Sequence, residues 1–227
     1  MRYGPYPDQL VETRGTAGPA VVFVHGGFWR AAWDRTHAGP LAADLAARGY
    51  RVATVEFRRV GQDGGGWTGT FDDVSAAVDV AVDGFGGPAV LVGHSAGGHL
   101  ALWYAARAPE RVRGVVALAP VADLGLAHGL GLGDGAVAAL LGGGPAEVPD
   151  RYAAADPVRL GVLPVPAVLV HGTADDRVPV EVSRAYAAMA GSHVQLWELP
   201  GVDHFALIDP LSAAWPTVLR ALDEVAA

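Results

Sequence analysis

The residues whose types and spacing could do chemistry begin with Gly93-His94-Ser95-Ala96-Gly97. A serine hydroxyl is a poor nucleophile and must project freely toward both a base and an electrophilic carbonyl. A sharp turn from a strand into a helix does this, at the expense of an unfavourable backbone conformation at the serine. Glycines two before and two after remove side chains that would collide across such a turn. The apolar run Ala89-Val90-Leu91-Val92 precedes this segment and a helical pattern follows it, so Ser95 is the candidate nucleophile. A plain Gly-rich connection between two elements is the competing reading of the pentapeptide alone. An activated serine also needs a base and a carboxylate to orient that base. Asp175 and Asp176 follow the apolar run 167–170, and His204 stands alone after the last such run. By themselves these are also what two solvated loop acids and a surface histidine look like.

The elements that must position these groups follow from the apolar patterning. Short, Val-rich, nearly uniformly apolar runs at 20–24, 51–56, 89–92, 112–118, 167–170 and 194–198 read as strands covered on both faces. Segments of helical period at 36–48, 70–83, 96–108, 180–190 and 211–225 alternate with them. The helix at 70 opens with Thr-Phe-Asp-Asp, which predicts a capping hydroxyl ahead of first-turn carboxylates. This alternation predicts an α/β domain with a mostly parallel sheet and helices on both faces. Residues 122–156 break the rhythm with a Gly- and Ala-rich stretch centred on Gly142-Gly143-Gly144-Pro145, either a short lid or a surface excursion with one helix. No repeat or linker divides the 227 residues, so one domain over 1–227 is expected.

Composition narrows the chemistry. The formal charge is −8, from 16 basic and 24 acidic side chains, which argues against nucleic acid as a partner. The chain has no cysteine, which removes a thiol nucleophile and a thiolate metal site. His94 and His99 are five apart rather than on one helical face, and no other His, Asp or Glu group has ligand spacing; no metal and no other cofactor is expected. Nothing resembles a secretory leader or a membrane span, so a cytoplasmic protein acting on a small molecule is the default, as a monomer or homodimer.

The elbow, together with the alternating order, resembles the α/β-hydrolase superfamily over nearly the whole chain. In that family the acid and then the base follow the serine. The resemblance implies that Asp175, three residues after Gly172 in His171-Gly172-Thr173-Ala174-Asp175, is the acid, ahead of its neighbour Asp176. It implies His204 as the base. His25-Gly26-Gly27-Phe28-Trp29, at the end of the first expected strand, is similar to the oxyanion loop of esterases and lipases in this fold. The amide of Gly27 or Phe28 and that of Ala96 are then the oxyanion donors, with the His25 ring holding the loop. Phe28 and Trp29 either line an acyl pocket or are core aromatics; Trp29, Trp67 and Phe205 are the residues expected near the substrate. His-Gly-Gly-Phe-Trp, Gly-His-Ser-Ala-Gly-Gly-His-Leu-Ala and Asp-His-Phe look most like carboxylesterases related to kynurenine formamidase. That implies hydrolysis of a small carboxylic ester through an acyl-enzyme on Ser95, with an aryl formamide as the alternative substrate and a non-hydrolytic biosynthetic role further off. The chain departs from a typical member in being short, with leading strands expected to be missing and the cap reduced to 122–156.

Overall fold

The computed structural model describes residues 1–226. Seven strands form one sheet: β1 Leu10–Arg14, β2 Ala20–Val24, β3 Arg51–Glu56, β4 Ala89–His94, β5 Val112–Leu118, β6 Ala167–Gly172 and β7 Val194–Leu199, in the spatial order β1-β3-β2-β4-β5-β6-β7. All neighbours are parallel except β1, which runs antiparallel to β3 with Val11 opposite Val55. Strands β2 and β4 are buried at every position, as their unbroken Val-rich runs require.

The first strand corrects the expectation that the sheet begins at residue 20. Leu-Val-Glu-Thr-Arg is an edge strand with one face in water, and in its short run only Val11 is fully buried, so it carries no continuous apolar signal.

Eight α-helices cover the sheet. On one face lie α1 (Gly39–Ala47) and α8 (Trp215–Ala226), which pack Leu41, Leu45, Trp215, Val218 and Leu222 against β2, β4, β5 and β6. The other face holds α2 (Gly69–Phe85), α3 (Ala96–Arg107) and α7 (Val180–Ala187). The expected helix at 36–48 is split. Residues 35–38 wind as a 3₁₀ turn, and α1 starts afresh at Gly39-Pro40, where proline suits a first helical turn. The expected start of α2 is corrected as well. Thr70 lies inside the helix, and its hydroxyl donates to the carbonyl of Arg58 (2.7 Å) and accepts from the amide of Gly66 (3.0 Å). Asp73 is buried and paired with Arg58 rather than exposed at a helix terminus.

The segment 122–156 forms α4 (Leu124–Gly129), α5 (Leu132–Leu141) and α6 (Pro149–Ala155). Their buried Leu124, Ala127, Val137, Leu140, Leu141 and Tyr152 join the same apolar cluster as α2 and α3. This segment is therefore part of the core over β4 and β5 rather than a single surface helix.

Candidate active site

The turn at Ser95 has the strain that its spacing predicts. Ser95 sits at φ 57°, ψ −120°, between the last residue of β4 and the first of α3, with its amide bonded to the carbonyl of Leu118 on β5 (2.8 Å). A Cβ at Gly97 would strike the carbonyl oxygens of Val24 and His25, and one at Gly93 would strike the backbone of Gly97 and Gly98. Both glycines are needed because the turn is pressed against β2 and against its own helix.

Loop 25–30 lies directly against that turn. A Cβ at Gly26 would stand 2.9 Å from the carbonyl of His94 and 3.0 Å from Ser95 Cβ. Gly27 (φ 114°), Phe28 (φ 49°) and Trp29 (φ 56°) follow in left-handed or related conformations, and the Trp33 side chain occupies the space a Cβ on Gly27 would need. Among the described residues the amides of Gly27 and Phe28 meet no acceptor. The amide of Ala96, at the first position of α3, has no intrahelical acceptor by geometry. The loop is held from below by a buried ion cluster. Glu56, 1% exposed, accepts from His25 Nε2 (2.9 Å) and from the amide of Arg35 (2.9 Å) and forms an ion pair with Arg59 Nη1 (2.8 Å), while the His25 ring stacks on Phe57. Burial alone would raise the Glu56 carboxyl; the hydrogen bond and charge of His25 bring it below the usual value.

Asp175 and His204 meet after β6 and β7. His204 Nδ1 donates to Asp175 Oδ2 at 2.6 Å, and Asp175 Oδ1 accepts the amides of Arg177 and Val178 at 2.8 Å each. His171 Nε2 donates to the carbonyl of Val178 (2.8 Å) and lies 3.4 Å from Asp175 Oδ2; its Nδ1 takes the Ser183 hydroxyl at 2.7 Å. Burial would push the Asp175 carboxyl up, but hydrogen bonding from His171 and His204 and the charge of His204 hold it well below the carboxylate range. An acid of this kind stays ionised and keeps the His204 proton on Nδ1, leaving Nε2 as the basic nitrogen. Asp176, by contrast, is an exposed side chain beside Arg177.

Ser95 and His204 both open on one cavity of about 410 Å³. Its walls are mostly apolar, lined by Phe28, Trp33, Phe205 and Ile208, with His37 and Arg177 as further polar residues. Trp33 and Phe205 are about half exposed and shape the mouth. Among the described residues no group of three or more His, Cys, Asp or Glu could hold a metal ion.

A model of the family described as alpha/beta hydrolase fold matches residues 19–149, more than half of the chain. The chain belongs to the alpha/beta hydrolase family. Solved structures agree on the fold. A truncated carbohydrate esterase from gut microbiota superimposes with TM-score 0.78 at 18% identity, covering 100% of this chain and 95% of that one. A putative thioesterase from Silicibacter sp. TM1040 gives TM-score 0.77 at 22% identity over 97% and 83%. A thermophilic esterase from Thermogutta terrifontis, with propionate bound, gives 0.75 at 23% identity over 99% and 91%. In this hydrolase two of the three aromatic residues expected near the substrate lie elsewhere. Trp29 is 1% exposed and packs edge-on to His99 in the core (5.2 Å, 89°). Trp67 packs on Phe71 (5.1 Å) and bonds through its amide to Leu140, so it braces α2 against α5. Phe205 does line the cavity, as does Phe28. Trp33, His37, Arg177 and Ile208 also line it without having been singled out. The one sequence signal Trp33 carried is its place four residues after Trp29 in the same loop.

Among the described residues no helix is long and apolar enough to cross a membrane.

Proposed function

We propose that this chain is a serine hydrolase that cleaves a small-molecule carboxylic ester through an acyl-enzyme on Ser95. The observation that carries the reading is the 2.6 Å bond from His204 Nδ1 to Asp175, on a histidine sharing one apolar cavity with a serine in a strained strand-to-helix turn. His204 Nε2 takes the Ser95 proton as Oγ attacks the ester carbonyl carbon. The carbonyl oxygen becomes an oxyanion beside the amides of Gly27 or Phe28 and of Ala96, where each donor contributes ~2.7–4 kcal/mol to barrier lowering. The imidazolium then gives its proton to the leaving alkoxide, the C–O bond breaks, and an acyl group remains on Ser95. Water, deprotonated by His204, attacks the acyl carbon; the bond to Ser95 Oγ breaks, Oγ takes the proton back from the imidazolium, and the carboxylic acid leaves. These steps draw only on groups of this chain.

The aromatic walls, with Arg177 also on the lining, favour a second substrate class for the same machinery, an aryl formamide that carries a carboxylate. Turnover of p-nitrophenyl acetate, butyrate and octanoate beside N-formylkynurenine separates the two. Ser95→Ala should abolish all of these while leaving the melting temperature nearly unchanged. Activity retained in that variant would overturn the reading, and a kcat/KM on the formamide far above those on the esters would select the second class.

A further inference from the structure

The residue before the nucleophile has an environment that the steps above do not use. His94 is buried in the last position of β4, yet its ring reaches the loop that carries the base. Its Nε2 bonds to the backbone carbonyl of His204 at 3.0 Å, and the two imidazole rings lie 4.5 Å apart, tilted by 46°. A carbonyl oxygen only accepts, so Nε2 of His94 carries the proton and Nδ1 is bare. That Nδ1 is buried with no partner among the described residues, 3.1 Å from where a Cβ on Gly26 of the oxyanion loop would stand.

We propose that His94 is a positioning residue for His204, a neutral donor that fixes the base over Ser95 by tethering its backbone carbonyl to the nucleophile turn. The inference rests on the serine hydrolase reading. His204 is then held at two points. Asp175 fixes the tilt of the ring through Nδ1, and His94 fixes the position of the main chain that carries it. Without the second hold the loop 203–205 is anchored chiefly by its own turn, in which the Asp203 carboxylate accepts the amides of Phe205 and Ala206. Neutrality is part of the arrangement. The titratable groups facing His94 are His204, His37 and, farther off, the Asp175 carboxylate. Burial above all, and then repulsion by a charged His204 ring, hold His94 well below the ordinary histidine range. A second proton on His94 would have no acceptor and would repel the catalytic imidazolium.

The test compares His94→Gln, His94→Asn and His94→Leu on p-nitrophenyl butyrate, with rates expressed per site titrated by a fluorophosphonate. The glutamine amide can donate to the same carbonyl, the asparagine amide is one carbon short, and leucine has no donor. Displacement of a catalytic group by about 1 Å lowers turnover roughly 100-fold. The leucine and asparagine variants should therefore lose between about 10-fold and 100-fold in kcat with little change in KM, and glutamine should recover most of it. The acid limb of kcat/KM against pH should stay in place in His94→Gln, because the native residue does not titrate there. Per-site kcat equal to wild type in both leucine and asparagine variants would overturn the proposal, and so would a limb displaced by a full unit in the glutamine variant. If leucine fails to fold, the ranking of glutamine over asparagine decides. Ser95→Ala keeps this outcome separate from the reading it rests on. Activity surviving there removes the serine itself, whereas activity lost there but intact in the His94 variants removes only the tether.

Discussion

Asp175→Asn exchanges one oxygen for an amino group, and the consequence is worked out through the proton on His204. Asp175 Oδ1 accepts two backbone N–H groups, from Arg177 and Val178, and Oδ2 accepts the His204 Nδ1 proton. An asparagine at this position must turn its oxygen to the two backbone donors, because an NH₂ there would face two N–H groups. Its NH₂ then faces His204 Nδ1, which must become an acceptor. The proton moves to Nε2, and the nitrogen that should take the Ser95 proton already carries one. Reversing a catalytic tautomer in this way lowers kcat by ~10⁴-fold, which is about 5.4 kcal/mol at 1.36 kcal/mol per decade. The assay is kcat on p-nitrophenyl butyrate per fluorophosphonate-titrated site, with Asp176→Asn beside it. The Asp176 carboxylate is 79% exposed and touches only Arg177, so its loss should change kcat by no more than about twofold. Stability supplies a second arm. The folded-state Asp175 carboxyl sits below its unfolded value of ~3.9, so its contribution is present above that pH and lost as the pH falls through the folded-state value. Asp175→Asn should therefore melt below wild type at neutral pH, with the gap closing in strong acid. A kcat for Asp175→Asn within tenfold of wild type, or a larger loss in Asp176→Asn, would refute both the acid assignment and the tautomer argument.

Two further outcomes follow from the packing. Asp156, 1% exposed, accepts the amides of Leu124 and Gly125 at the start of α4, and burial pushes its carboxyl up to about 6. The folded chain thus binds the extra proton between ~4 and about 6, and wild type loses stability as the pH rises through that window, by a few kcal/mol at most. Plotted against pH, the melting temperature of Asp156→Asn minus that of wild type should rise between pH 4 and 7; a flat difference would mean that the carboxyl is not perturbed by burial. The aromatic pair Trp33 and Trp67 should separate binding from stability. Trp33→Ala should raise KM for octanoate or aryl esters by about tenfold, since it removes an apolar wall of the cavity, whereas Trp67→Ala should lower unfolding free energy in urea by about 3 kcal/mol with KM unchanged. The reverse pattern would return Trp67 to the pocket.

What was legible in the sequence, and what was not, divides along the range of the interactions involved. The turn at Ser95 is local: its strand, its two glycines and its helix are contiguous, so residue type and spacing were enough to propose it. Asp175 and His204 were assigned through the resemblance, from their order after the serine, and they can meet because each follows a parallel strand and the ends of β6 and β7 lie beside each other in the sheet. The sheet itself was readable from runs that are apolar at every position, and for the same reason β1, with one wet face, was not. The substrate walls obey no such rule. Whether an aromatic residue of loop 28–33 faces the cavity or the core is decided by two successive positive φ angles, at Phe28 and Trp29, which no propensity of phenylalanine or tryptophan favours.

Those angles persist because the surroundings over-determine them, and the surroundings are distant in the chain. Glu56, at the end of β3, grips His25 and Arg35 on either side of the loop. The amide of Val60 bonds the carbonyl of Trp29 (2.8 Å), and the carbonyl of Val60 takes the amide of Ala31 (3.0 Å). Gly133 of α5 lies so close over Phe28 that a Cβ there would stand 2.7 Å from its ring. Left-handed backbone at a bulky residue costs of order 1–3 kcal/mol per position, and these contacts, spread over β3, its following loop and α5, are what offset it. The same contacts send Trp29 inward and leave Phe28 and Trp33 on the cavity. On the proposed reading, β3 and α5 shape the cavity wall through loop 25–37, while β4, β6 and β7 carry Ser95, Asp175 and His204. A larger residue at Gly133, which presses on the Phe28 ring, should accordingly alter which ester is turned over, whereas a change at Glu56 should also slow turnover, because the loop it holds carries the proposed oxyanion amides of Gly27 and Phe28.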